Sequence, residues 1–141
     1  MIKNTEFKIY DIDNDWNKYG DPIRNDFSNM IIDKIKNITI TFVNGTQTKI
    51  NTVQSFEYDS EFNIVITDAL FNATLYNAFN RNLEIKKVEL CGIIADCESN
   101  CREYYFETEF ENLKISRYNG GIDTDGSFSH EYTLVDINEE L

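Results

Sequence analysis

Histidine occurs once in this chain, at His130, and proline once, at Pro22. No apolar run approaches the roughly 20 residues needed to span a bilayer, and the opening residues MIKNTEFKIYDIDND lack the apolar core of a signal peptide. The expectation is a protein without a membrane segment, made and kept in a cytoplasm. Cysteine is scarce as well. An odd number, Cys91, Cys97 and Cys101, without a secretion signal argues against a disulfide framework, so reduced thiols are expected. Their C-x5-C-x3-C spacing lacks the paired short knuckles of a structural zinc site, and His130 is far along the chain. Ordinary thiols in a strand and loop are the expectation, with a Cys3His site as the alternative. Basic residues are few: 13 Lys and Arg against 25 Asp and Glu give a formal net charge of −12. So acidic a surface repels phosphate backbones and disfavours nucleic-acid binding by charge neutralisation, while it serves solubility.

What is present is apolar and aromatic material for a core: 41% hydrophobic residues, with 10 Phe and 8 Tyr among 141 residues. That is enough to offset the ordering entropy of one domain, residues 1–141. Thr5 to Tyr10 alternate weakly, and the following DIDNDWNKYGDPIRND is polar and turn-rich, which predicts an extended loop. Ile38, Ile40 and Phe42 or Val43 predict a strand closed by a turn at Asn44-Gly45. Ile50, Val53 and Phe56, then Phe62, Ile64 and Ile66, continue the β pattern. In TDALFNATLYNAFNRN, residues Leu70, Phe71, Thr74, Leu75, Ala78 and Phe79 recur at three- and four-residue intervals. This is the stripe of a helix at about 67–81, capped by Thr67 or Asp68, with Arg81 near the negative end of its dipole. LEIKKVELCGIIAD returns to strand, and Lys86-Lys87 interrupts its alternation at a candidate bulge. In the last third, YYFETEF and FENLKIS alternate, RYNGGIDTDGS forms a long polar tip, and Phe128, His130, Tyr132 and Leu134 alternate with Ser129, Glu131 and Thr133. The fold class is mainly β: a small antiparallel β-barrel or sandwich with one α-helix, a long N-terminal loop and a closing hairpin.

Chemical motifs are weak. Asp11, Asp13 and Asp15 have the alternate-carboxylate spacing of a calcium loop, but Trp16 stands where glycine is needed and Pro22 where the bidentate glutamate belongs. Asp123 and Asp125 could hold a calcium ion, although Asp and Gly are also what a tight turn demands, so they remain weak metal candidates. The glycosylation tripeptides at Asn37, Asn44 and Asn72 are what an Asn-rich chain supplies by chance. Gly120-Gly121 belongs to a hairpin rather than to a strand-to-helix phosphate loop. His130 lies mid-strand among apolar residues, and the cysteines have no base beside them in sequence. No catalytic constellation and no cofactor is expected.

The closing stretch, Leu113, Ile115 and Ser116, then Asp125-Gly126, then Phe128 to Val135, resembles the last hairpin of the tail tube proteins of tailed bacteriophages and their relatives in contractile injection systems. The likeness covers mainly Thr67 to Asp136. It implies a subunit that joins its own copies edge to edge into rings, usually six per ring. The rings stack into a tube in the virion tail, assembled in the bacterial cytoplasm, with DNA and the tape-measure protein passing through without specific binding. On that resemblance Leu113, Ile115, Phe128, Tyr132 and Leu134 build the hairpin that lines the ring, and part of the acidic surplus faces the lumen. The 11–26 loop becomes an arm between subunits, with Trp16, Tyr19, Pro22 and Phe27 as contact residues. Partners would be other tail and baseplate proteins. Two alternatives stand beside it. One is another ring of the same tail: an adaptor, terminator or baseplate-proximal tube protein. The other is a monomeric carbohydrate-binding β-sandwich, for which Tyr10, Trp16, Tyr19, Tyr58, Tyr104 and Tyr118 supply candidate aromatics.

Overall fold

The computed structural model describes residues 6–25, 30–53, 55–58, 64–66, 68–97, 100–122 and 128–136. Among them lie β1 (Glu6–Ile12), β2 (Lys18–Arg24), β3 (Met30–Phe42), β4 (Gln47–Val53), β5 (Phe56–Tyr58), β6 (Ile64–Ile66), α1 (Ala69–Asn80), β7 (Ile85–Asp96), β8 (Arg102–Glu111), β9 (Leu113–Ile122) and β10 (Phe128–Asp136). Six strands form one antiparallel sheet in the order β2-β1-β8-β7-β3-β4, and β9-β10 and β5-β6 form separate hairpins. The fold is mainly β with one helix. Among the described residues the large sheet is open, ending at β2 and β4 rather than closing into a barrel.

The N-terminal segment corrects the expected loop. Lys18–Arg24 is a strand, paired to β1 through Ile12↔Lys18, Asp11↔Tyr19 and Ile9↔Arg24. Gly20 at φ +75° and Pro22, the residues that read as loop, occupy an irregular stretch between Tyr19 and Arg24. A sheet edge tolerates both, because proline's missing N–H there faces no further strand. The polar tip of the closing hairpin is also shorter than RYNGGIDTDGS suggests. Residues 117–122 continue β9, drawn into the ladder by Tyr132↔Arg117 and Glu131↔Tyr118, and the register shifts beside Gly120-Gly121.

Bulges shape the centre of the sheet. Lys86 is the extra residue between the pairs Thr41↔Lys87 and Phe42↔Ile85, where the lysine pair breaks the alternation. Lys36 is extra between Ile35↔Gly92 and Asn37↔Cys91, and it drives the β3 backbone over Gly92. A Cβ at Gly92 would collide with the Lys34 carbonyl oxygen and lie 2.9 Å from both Ile35 Cα and Phe106 Cε1. Glycine is therefore required at this crossing.

The inner face of the sheet supplies Phe7, Ile9, Ile35, Ile38, Ile40, Val88, Leu90, Ile94, Phe106 and Phe110 to one core, closed by Phe71, Leu75 and Ala78 of α1 and by Leu113, Tyr132 and Leu134. Asp68 starts α1 by accepting from Leu70 N–H at 3.0 Å. Its end is a left-handed cap: Asn82 at φ +56°, with Leu83 N–H donating to the Ala78 carbonyl at 3.0 Å. Leu83 then packs against the core. The closing hairpin is tied to α1 by Tyr132, whose ring lies 5.4 Å from Tyr76 and 5.5 Å from Phe79 and whose N–H donates to Asn72 Oδ1 at 3.0 Å.

Candidate functional site

The outer face of the sheet carries the polar alternates of the same strands. Register places Tyr10, Tyr105, Ile93 and Lys34 in one row, and Lys8, Glu107, Cys91 and Asn37 in the next. The charges here are mixed: Lys87 lies 3.5 Å from Glu89 and 3.4 Å from Glu109, and Lys18 lies 3.2 Å from Glu107. Opposite charges side by side on neighbouring strands support the sheet, each pair contributing modestly because it meets water.

The β1–β2 hairpin stands over this face. β1 follows β8 only as far as Tyr10↔Tyr105, and beyond that point it pairs with β2 alone. At the turn, Asp13 Oδ1 accepts from the Asp15 and Asn17 N–H groups, each at 2.9 Å, so Asp13 serves as turn chemistry rather than as a metal ligand. The turn sets Trp16 at φ +64°. From there Trp16 reaches β3: its carbonyl accepts from Lys36 Nζ at 2.9 Å, and Lys34 Nζ lies 5.3 Å from its ring centre. Two strands, β8 and β7, separate β1 from β3. At about 4.8 Å per strand spacing β1 and β3 lie about 14 Å apart, and the tip together with the reach of the two lysine side chains spans that gap. The tip therefore lies over β8 and β7, on the face opposite the core where Ile93 is completely buried. Lys18 adds a stitch, with Nζ 4.8 Å from the Tyr10 ring, and Arg102 lies 3.5 Å from Asp11.

Electrostatics follow this cover. Burial and then a hydrogen bond with Cys91 hold the Tyr105 hydroxyl strongly above its ordinary value. Burial, then the charge of Glu107, raises Tyr10, whose hydroxyl donates to Glu107 at 3.2 Å. Glu89 and Glu109 raise Lys87. Beside the hairpin lies an open groove of about 290 Å³, lined by Lys8, Asn37, Thr39, Glu107 and Glu109, with Tyr105 at one wall.

Trp16, Tyr19 and Pro22 all lie on the β1–β2 hairpin; Trp16 is 43% and Tyr19 67% exposed. Leu113, Tyr132 and Leu134 are buried and Ile115 packs against the core, so this side of the closing hairpin faces inward. Phe27, Asp123 and Asp125 lie outside the described residues, as do the side chains of Phe128 and His130. The aromatics Tyr10 and Tyr104 do not share a surface, since Tyr10 is on the outer face and Tyr104 packs against the core. Asn44 and Asn72, two of the glycosylation asparagines, are committed to hydrogen bonds: Asn44 Oδ1 accepts from Thr46 N–H and Asn72 Oδ1 from Tyr132 N–H. The three cysteines are free, and the Cys97 thiol is raised chiefly by Cys101. Among the described residues no cluster of three or more His, Cys, Asp or Glu could hold a metal, and no helix is long and apolar enough to cross a membrane. Lys34 and Lys36, which seat the hairpin, carry no local sequence signal. No protein-family model, curated protein or solved structure matches this chain.

Proposed function

We propose that this chain is a structural virion protein that self-assembles into stacked rings, forming a tail tube through which DNA passes. The observation that carries the reading is the open six-stranded sheet, whose edge strands β2 and β4 each have a partner on one side only among the described residues. Such edges invite pairing with another chain and are a hazard for a monomer. In a closed ring of identical copies each edge is covered by its neighbour. The resemblance of the closing hairpin to tail tube proteins supplies the identity of the ring, and Tyr19 and Ile23, at 67% and 49% exposure along the β2 edge, supply apolar contact area for a neighbour. Another ring of the same tail, such as an adaptor or terminator, would use the same edges.

Negative-stain microscopy with the solution mass tests the reading. Hollow rings or tubes with a channel wide enough for duplex DNA are expected. Deletion of residues 14–24 is expected to leave a folded monomer that no longer assembles, and undiminished filament growth would remove the hairpin from the interface. The second reading, a monomeric carbohydrate-binding module, is favoured by the polar outer-face groove beside Tyr105. A strict monomer at high concentration that binds a glycan through that groove would replace the first reading.

A further inference from the structure

The outward reach of the β1–β2 hairpin beyond the Tyr10–Tyr105 ring contact carries a set of cation contacts. Lys36 meets the Trp16 carbonyl, Lys34 the Trp16 ring, Lys18 the Tyr10 ring and Glu107, and Arg102 the Asp11 carboxylate. Every one is a cation at or near the surface, and the Arg102 and Asp11 side chains are 66% and 43% exposed. Contacts of this kind are individually weak and exchange readily with water and salt. The hairpin also has a natural hinge. Its register shifts between Ile9 and Asp11, and β1 leaves β8 after Tyr10. Under the tip lies a preformed seat on β3, Lys34 and Lys36, beside the buried Ile93.

We propose that the β1–β2 hairpin is an exchangeable strap. In the isolated chain its tip occupies the Lys34–Lys36 seat of its own sheet, and in an assembly the same tip of a second copy occupies that seat. The second half rests on the assembly reading above. The occupant is a second copy because the seat already fits this tip, so an exchanged hairpin reproduces its intrachain contacts with little loss. Release also leaves the Tyr10, Tyr105 and Ile93 row uncovered until another tip arrives. The strap thus opposes premature association: a copy whose own seat is filled has none to offer.

The only tryptophan of the chain lies in the tip, so its fluorescence reports the strap alone. In Lys34→Ala/Lys36→Ala, quenching of Trp16 by acrylamide is expected to rise several-fold with unchanged far-ultraviolet circular dichroism. Lys49→Ala, a lysine on the edge strand β4, should quench like wild type. Unchanged quenching in the double variant would overturn the docking. Exchange is tested by adding full-length Asp13→Ala/Trp16→Gly, whose tip is broken, whose seat is intact and which does not fluoresce as tryptophan. Return of quenching toward the wild-type value supports capture of one copy's tip by another. Quenching that stays high overturns exchange, even where wild-type rings form; rings that never form, with quenching restored, would refute the tube and leave the strap standing.

Discussion

Two hairpins, β1–β2 at the edge of the main sheet and β9–β10 beside it, are anchored in opposite ways. β9–β10 is fixed by burial: Leu113, Tyr132 and Leu134 sit in the core, Tyr132 packs on two aromatic rings of α1, and its N–H is bound by Asn72. The tip of β1–β2 is fixed by lysines at the surface, over a face of mixed charges. Burial yields several kcal/mol per large side chain, whereas surface cation contacts yield about 0.2–1 kcal/mol each. The β9–β10 hairpin and the Phe7 and Ile9 half of β1 are therefore part of the core, whereas the β1–β2 segment beyond Tyr10 is held outside it.

Substitutions can break this contrast or sharpen it. Tyr132→Ala removes a buried ring and its two partners, and is expected to lower unfolding free energy by about 3–5 kcal/mol in chemical denaturation. Asn72→Ala leaves the Tyr132 N–H without its acceptor. A loss of about 1–2 kcal/mol is expected, with faster amide exchange at Tyr132. Alkaline pH acts on the outer face. Tyr10 and Tyr105 have folded values raised above the ordinary 10.0, and Lys87 above 10.5. Each therefore contributes stability that is complete below those ordinary values and is lost as pH rises through the raised folded ones. Stability should fall above pH 10, and Tyr10→Phe/Tyr105→Phe should flatten that fall in an alkaline denaturation series. Trp16→Ala and Lys18→Ala are expected to cost at most about 1 kcal/mol each. Were Trp16→Ala to cost as much as Tyr132→Ala, the two hairpins would not differ in kind.

The parts of the fold that were legible are those set by near neighbours in sequence. Asp68 caps α1, Asn44-Gly45 turns β3 into β4, the Lys86-Lys87 irregularity is a bulge, and Phe71, Leu75 and Ala78 of the helical stripe pack inward, although Leu70 and Phe79 of the same stripe are exposed. The 11–26 segment misled because Asp, Gly and Pro signal turns locally, while its strand character comes from pairing with β1 at an edge that tolerates them. The same holds for residues 117–122, which are strand because β10 lies beside them. Trp16 stood out as an exposed anchor. Its actual partners, Lys34 and Lys36, lie 18 and 20 residues away on a strand that is not its neighbour, so no spacing rule could link them.

Composition and periodicity by themselves determined that this is a mainly β domain with one amphipathic helix, because alternation and the three-to-four-residue stripe record which face each element must bury. Only the tertiary structure decided that the sheet is open, that Gly92 must stay bare under the β3 backbone, and that the acidic N-terminal hairpin arches across two strands. Those features depend on strand order and on a one-residue bulge at Lys36, and both are set by contacts between segments far apart in the chain.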